Sequence, residues 1–388
     1  MPIDSHPVFS QLAQAAPTVS RVQPAIAGFP EDILSILVPQ GWPRTLQDYV
    51  DPERDEPIFG LHVMTFTDAT LVVLKYSHVI MDGGGRGPLM KAWSNILHGR
   101  RDLVPPVGGT RKDPLDPIRE RGEPAEPYVL RNKRIELAAL MPEDGKAPPS
   151  DPDWDTSSPE SRWRTISLSP DALTSIVSEA RNTVPVATDG SKSFVSEDDI
   201  VTAWLARTIA GMLPEGRPIN AMRIYNMRNR VPVFDPGTVY IQNAFQMVWT
   251  LFPSAGETAN APLGDVAAQL RAALAEQTSE AQAIASMAER DAGVTPLYGS
   301  PAGVFFTFNN WAQIKLYQII DLSPAVIESR TAGGGLPDLI DFDFSLGGAP
   351  PGPNIISSGK DASGARHAMA FLSNVMWPKM EDALAKFG

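Results

Sequence analysis

The residues best suited to chemistry lie in the run Ser77-His78-Val79-Ile80-Met81-Asp82, which leads into three glycines, Gly83 to Gly85. Of the five histidines, His6, His62, His78, His98 and His367, His78 alone sits in a context of this kind. An imidazole titrates near neutral pH and can take a proton from a hydroxyl or an amine, which makes it suited to general-base work. The competing reading of a histidine at a strand end is a packed or solvated residue, so the neighbours must decide. Asp82 lies four residues on, and two geometries are open to it. It can accept a ring N–H and orient the imidazole, or turn away, pair with an arginine and hold the loop. The glycines permit a backbone turn that a β-carbon would obstruct.

Positioning such a histidine takes rigid elements on both sides. From Ile58 to Phe66 and from Thr70 to Ser77 the chain is rich in β-branched and aromatic residues, with Thr67-Asp68-Ala69 as a turn-like joint. This predicts a hairpin whose second strand, through Leu71-Val72-Val73-Leu74, is buried on both faces. Pro88 to Leu97 carries apolar residues at a helical spacing, so the unit is strand, tight turn, helix. Between Pro105 and Pro159 prolines and Asp-Pro pairs are frequent and periodicity is weak, as in a crossover between domains.

Beyond the crossover, Trp163 to Leu168 reads as a strand. Ser169 and Ser196 each open a helix with a hydroxyl cap, the first with a proline at its first position. Strands are expected at Ala221 to Asn226, Val239 to Phe252, Val304 to Phe308 and Lys315 to Ile320. A long helix is expected from Leu263 to about Met287 and a closing one from Val375 to Phe387. A weak helical pattern spans Pro7 to Ala15, and Asp341-Phe-Asp-Phe with Gly347-Gly348 reads as a strand and turn. With 388 residues, two domains divided as 1–160 and 161–388 are the expectation, in an α/β or α+β class.

Composition removes several function classes. Forty-five acidic against 33 basic side chains give a net charge of -12 without a basic cluster, a poor surface for nucleic acid or anionic membrane. Cysteine is absent, which removes disulfides and thiolate chemistry. No stretch reaches the roughly 18 to 20 apolar residues that span a bilayer, and the first residues do not read as a secretion signal. A cytoplasmic monomer is expected. His-x-x-x-His spacing does not occur, so a metal site is not expected, and Gly83-Gly-Gly lacks the Gly-Lys-Ser/Thr ending of a phosphate loop.

The run from His78 through Asp82 to Gly83 resembles the His-x-x-x-Asp-Gly signature of BAHD acyltransferases, which move an acyl group from coenzyme A to an alcohol or amine. Pro57 to Ala69 resembles the strand and turn before that motif, and Lys91-Ala-Trp-Ser with His98-Gly99 the helix after it. Ser196 to Thr208, with Ala203-Trp204, is similar to the helix that begins the family's second half. Asn226-Met-Arg-Asn-Arg-Val-Pro and Tyr240-Ile-Gln-Asn243 resemble its Arg-x-Arg and Tyr-Phe-Gly-Asn stretches. The resemblance implies two chloramphenicol-acetyltransferase-like halves, each a mixed sheet with helices. It also implies acyl-CoA as co-substrate with no resident cofactor, and His78 as general base. Asp82 then becomes a structural residue beside Gly83, paired with an arginine for which Arg228 is the candidate. Phe308-Asn309-Asn310-Trp311 stands where the family has a Thr-Ser-Trp stretch, so Trp311 and the Asn309 amide are candidate oxyanion donors, Trp311 being equally readable as a core aromatic.

Two departures stand out. Where the family's Asp-Phe-Gly-Trp-Gly belongs, this chain has Asp321-Leu322-Ser323-Pro324-Ala325, a change on the presumed donor side. The stretch before His78 is also shorter than is usual in the family, which implies a more open channel. The many aromatic and methionine residues suggest a hydrophobic natural-product acceptor, and the Pro- and Ala-rich style resembles fungal biosynthetic enzymes. Alternatives that keep the fold are a carrier-bound donor, an isomerisation or cyclisation with His78 as proton shuttle, or a ligand-binding protein without catalysis.

Overall fold

A computed structural model describes residues 41–43, 45–120, 124–136, 161–186, 190–228, 230–290, 296–327, 334–337 and 351–387, with residues 2, 5, 24–27, 37, 39, 154, 158 and 340 beside them. The first half contributes β1 (Ala25–Ala27), α1 (Leu46–Val50), β2 (Phe59–Thr65), β3 (Thr70–Tyr76), α2 (Gly83–Leu97), α3 (Asp116–Arg119) and β4 (Arg134–Ile135). There follow β5 (Arg162–Leu168), α4 (Pro170–Thr183), α5 (Glu197–Ala210), β6 (Ile219–Asn226), β7 (Phe245–Phe252), α6 (Ala255–Asn260) and α7 (Leu263–Gln277). The last part holds α8 (Glu280–Ala288), β8 (Leu297–Tyr298), β9 (Val304–Asn310), α9 (Leu316–Ile319), β10 (Asn354–Lys360), β11 (Arg366–Leu372) and α10 (Met376–Ala385).

Seven strands form one mixed sheet in the order β1-β5-β11-β10-β9-β6-β7, parallel where β9 meets β10 and β6 and antiparallel elsewhere. A parallel pair needs a crossover, and crossovers supply helices that cover the sheet. Apolar residues of α4, α5, α7 and α10 fuse with those of β5, β9 and β11 into the main core, with Trp204, Phe306, Phe308 and Trp377 inside it. Burying a phenylalanine such as Phe306 contributes about 1.5–3 kcal/mol. Among the described residues the other two sheets are the β2–β3 hairpin and the β4–β8 pair.

Local signals explain the helix starts. Ser169 Oγ accepts the Ala172 N–H at 3.2 Å, with Pro170 in the first turn of α4. Ser196 and Asp199 form a reciprocal capping box at α5. Asp199 is 1% exposed and also accepts Arg223 Nη1 at 2.9 Å and Arg271 Nε at 2.8 Å, which ties α5 to β6 and α7. Burial alone would raise the Asp199 pKa, but the bonds from Ser196 and Arg223 outweigh it and hold the carboxyl below its ordinary range.

Several elements differ from the expectation. The β3 strand is not buried on both faces: it pairs among the described residues only with β2, and both strands leave one face exposed at Phe59, Leu61, Val63 and Val72. The long helix expected from Leu263 breaks after Gln277, because Ser279 caps a new helix by accepting the Gln282 N–H at 3.2 Å. Lys315 to Ile320 is not a strand. Lys315 sits in the left-handed region at φ 58 and starts α9, so the apolar and aromatic composition there misled. Residues 239–244 precede β7 without joining it. Strands β10 and β11 had no reading in the sequence; β10 follows two isoleucines with Ser357, Ser358 and Gly359, buried between neighbouring strands on both sides that satisfy their backbone. The readings at Pro7 to Ala15 and Asp341 to Gly348 lie outside the described residues.

The β10–β11 turn rests on Asp361, whose Oδ1 accepts the Ser363 and Ala365 N–H groups at 2.8 and 3.1 Å and whose Oδ2 meets His367 Nε2 at 3.2 Å. On the other side of that ring, Nδ1 is 2.9 Å from Ser167 Oγ on β5. Burial pushes the Asp361 carboxyl up, but hydrogen bonds from His367 and Ser363 overcome this and pull it down to about 2. A depressed carboxyl stabilises the fold above the unfolded value of about 3.9, and this contribution fades as pH falls through about 2. Asp361→Asn should therefore flatten the acid limb of stability between about pH 4 and 2, read as the urea midpoint against pH. An unchanged slope would show that the turn does not titrate as described.

Candidate active site

Helix α2 begins immediately after Asp82, five residues earlier than apolar periodicity alone predicts. Glycine is a poor helix former, yet Gly83, Gly84, Gly85 and Gly87 all lie in the first turns. The turn also starts from a good N-cap: Asp82 Oδ1 accepts the Gly85 N–H at 2.8 Å. The glycines are required by close approach, not by a left-handed backbone, since none of Gly83 to Gly85 has a positive φ. A β-carbon at Gly83 would sit 2.6 Å from Trp311 Nε1, and one at Gly85 would sit 1.8 Å from the Ile241 carbonyl oxygen. Both neighbours belong to the second half of the chain.

The Asp82 carboxylate is 6% exposed. Beyond the cap, Oδ2 accepts the Ala244 N–H at 2.8 Å, and Arg228 reaches Oδ1 through Nη2 at 2.8 Å and Oδ2 through Nη1 at 3.2 Å. Arg228 spends its other donors on the same segment: Nε on the Tyr240 carbonyl at 2.7 Å, Nη2 also on the Gln242 carbonyl, and Nη1 on Asn226 Oδ1 at 3.1 Å. The carboxylate is thus bound to the arginine and the backbone, and of the two geometries open to it the structure contains the second.

His78 occupies the turn between β3 and α2, and its side chain is exposed. The turn is held locally by the Ile80 N–H to the Ser77 carbonyl at 3.2 Å and by the Val79 N–H to Ser77 Oγ at 3.3 Å. From the second half, Asn243 Nδ2 donates to the carbonyls of His78 at 2.8 Å and Val79 at 3.0 Å. Among the described residues no side chain is hydrogen-bonded to the His78 ring.

Trp311 is 5% exposed, and its backbone N–H donates to the Ser357 carbonyl at 2.8 Å. Its indole lies against Gly83, with the Arg86 guanidinium 3.9 Å over the ring. Asn309 stands at the end of β9, half-buried, in register with Ile356 and Ile224. Arg86 had no place in the sequence reading. Burial lowers its pKa, while Tyr76 and Asp82 oppose the shift. Its sequence signal was faint: a lone cation one residue past the glycines, inside a helix too early to be recognised.

The altered second signature lies at the other end of α2. Ser94 Oγ donates to the Ile319 carbonyl at 3.0 Å and accepts the Asp321 N–H at 3.0 Å. His98, the C-cap of α2, has Nδ1 2.8 Å from the Ser94 carbonyl and Nε2 3.2 Å from both Asp321 Oδ2 and Ser323 Oγ. Asp321 is therefore an anchor on the helix that follows His78. A separate surface groove lined by Leu173, Arg181, Glu197 and Lys360 shares no residue with this turn.

No family model matches the chain. An O-acyltransferase of Aspergillus ustus, pboC, is 30% identical over 409 residues, covering 98% of this chain and 80% of that protein. The chain belongs to the BAHD-type acyltransferases. A protein of Penicillium decumbens named transcriptional regulator calD is 28% identical over 407 residues, covering 98% of this chain and 77% of its own. In fold, the acyltransferase is similar to TRI101 of F. graminearum crystallised with Coenzyme A and T-2 mycotoxin. That match has a TM-score of 0.58 and 14% identity over 84% of this chain and 68% of the other.

Removing one partner of a buried charge pair leaves the other uncompensated, at a cost of about 3–5 kcal/mol. Asp82→Ala should lower stability by about that amount, because Arg228 would remain enclosed at a side-chain exposure of 12%. Chemical denaturation checks it, and a change under about 1 kcal/mol would mean the pair behaves as a surface salt bridge. Gly85→Ala should be worse tolerated than Gly99→Ala in expression and melting temperature, since Gly99, although at φ 73, has no heavy atom within 4 Å of a built β-carbon.

Proposed function

We propose that this acyltransferase moves an acyl group from an acyl-CoA thioester to a hydroxyl or amine of a small hydrophobic natural product, with His78 as general base. The observation that carries the reading is the exposed imidazole on a turn whose backbone is held from both halves of the chain. Asp82 is committed to Arg228, so the ring is left to the substrate.

In this reading the acceptor approaches with its proton within about 2.6–3.2 Å of a ring nitrogen. The imidazole takes that proton as the acceptor oxygen or nitrogen bonds to the thioester carbonyl carbon, and negative charge gathers on the carbonyl oxygen. The intermediate collapses with loss of the coenzyme A sulfur, which leaves as the thiol with the proton carried by the imidazolium. The Trp311 indole and the Asn309 amide are the proposed donors to the oxyanion. The indole lies against Gly83, on the helix that follows the histidine.

Acyl-CoA as donor is supported by the Coenzyme A in the TRI101 complex, and a secondary-metabolism acceptor by the T-2 mycotoxin of the same complex. A net charge of -12 makes nucleic acid an unsuitable partner despite the name given to calD. Two halves dividing near residues 160 and 161, a monomeric state and a cytoplasmic location belong to the same proposal.

General-base catalysis is typically worth about a hundred- to ten-thousand-fold. His78→Ala should lower thiol release from acetyl-CoA by a factor in that range, with benzyl alcohol at high concentration as a generic acceptor. Equal rates for the variant and the parent chain would remove His78 from the mechanism.

A further inference from the structure

A base at a turn is useful only if the turn stays where the proton arrives. Five residues, Ser77 to Met81, join the end of β3 to the cap of α2, and of these His78 and Val79 are exposed while Met81 is fully buried. Packing of Met81 anchors the end of this segment, but the exposed side chains of His78 and Val79 do little to fix the backbone that carries them. The two local hydrogen bonds, at 3.2 and 3.3 Å, are long and close the turn only on itself.

Asn243 supplies what is missing. Among the described residues its Nδ2 makes the only hydrogen bonds that reach the turn from another element, at 2.8 Å to the His78 carbonyl and 3.0 Å to the Val79 carbonyl. Two adjacent carbonyls fanned around one point require a group that donates twice and carries no lone pair toward them. An amide NH2 does this; a carboxylate would place oxygen against oxygen, and a hydroxyl donates once and reaches less far. The same logic fixes the orientation of the amide, since a flip would set Oδ1 against both carbonyls. Oδ1 is left buried without a hydrogen-bond partner.

The backbone beside Asn243 is fixed independently of the turn. Arg228 binds the Tyr240 and Gln242 carbonyls on one side of it, and Asp82 binds the Ala244 N–H on the other. The amide thus extends from the segment that the buried ion pair anchors, and transfers that rigidity to the residue bearing the imidazole. We propose that Asn243 is a positioning residue for His78, clamping the carbonyls of the His78–Val79 turn so that the imidazole meets the acceptor proton in one place. This rests on the assignment of His78 as the base.

The expected signature separates kcat from KM. A misplacement of about 1 Å can cost about a hundredfold in rate, while the thioester can still bind. Asn243→Ser should therefore lower kcat for thiol release from acetyl-CoA, again with benzyl alcohol, by at least about tenfold. The KM for acetyl-CoA should stay within about twofold, the change expected when uniform binding is left intact. Hydrogen exchange read by mass spectrometry gives a second measurement that does not need turnover. Peptides covering residues 77–82 should exchange faster in Asn243→Ser, while those of β6 and β7 should not. Parent-like kcat together with unchanged exchange at 77–82 overturns the proposal, and so does a rise in KM that accounts for the whole loss. If instead His78→Ala releases thiol as fast as the parent chain, the base assignment itself has failed, whatever Asn243 does.

Discussion

One buried carboxylate governs how the two halves of this acyltransferase meet. Asp82 caps the helix that follows the motif, receives a main-chain N–H from residue 244, and takes the fork of Arg228. Desolvating a carboxylate and a guanidinium is expensive, and their attraction offsets it only when the remaining donors and acceptors are also satisfied. That condition is met here by geometry an ammonium could not reproduce, because Arg228 divides its donors among Asp82, Asn226, Tyr240 and Gln242. Such a pair adds little net stability relative to an apolar contact. What it supplies is register: the segment 240–244 can dock on the start of α2 in one way.

The glycines follow from that docking. With the Ile241 carbonyl oxygen where a Gly85 β-carbon would be, and the Trp311 indole where a Gly83 β-carbon would be, backbone meets backbone and ring without a side chain between them. Helix propensity is given up in the first turn, and the Asp82 cap with the ion pair makes up the loss. The histidine benefits indirectly. Because the aspartate is engaged elsewhere, the ring is not drawn inward, and an exposed imidazole results on a backbone held by a strand, a helix cap and an amide from the far half.

Legibility in the sequence divides along contact distance. The hairpin, the turn and the caps at Ser169 and Ser196 were readable because each depends on residues within a few positions of one another. The true start of α2 was not, since its glycines are explained by Ile241, Trp311 and Arg228, all far along the chain. Strands β10 and β11 escaped for a related reason. Ser357, Ser358, Arg366 and His367 are buried polar residues, whose partners Ser167, Glu197 and Asp198 lie on other elements and leave no apolar alternation to read. At Lys315 to Ile320 composition pointed to a strand, and a single left-handed residue made a helical turn instead. Asn243 and Arg86 show the same limit within the site, where one carries its role through the carbonyls of a distant turn and the other is buried with its guanidinium over the Trp311 ring.

The divergent stretch after Trp311 then acquires a physical meaning. Helix α2 is gripped at its start by Asp82 and Arg228 and near its end by Ser94 with Ile319 and Asp321, and the His98 ring closes over Asp321 and Ser323. What the second grip demands is a main-chain carbonyl, a main-chain N–H, one carboxylate and one hydroxyl at fixed places. It makes no demand for an aromatic residue or a glycine at the positions of Leu322 to Ala325. A loop constrained in this way can change most of its side chains and still hold the helix, because two of the four contacts are made by backbone atoms every residue possesses. The loss of the Phe-Gly-Trp-Gly pattern therefore leaves the support of the motif helix in place.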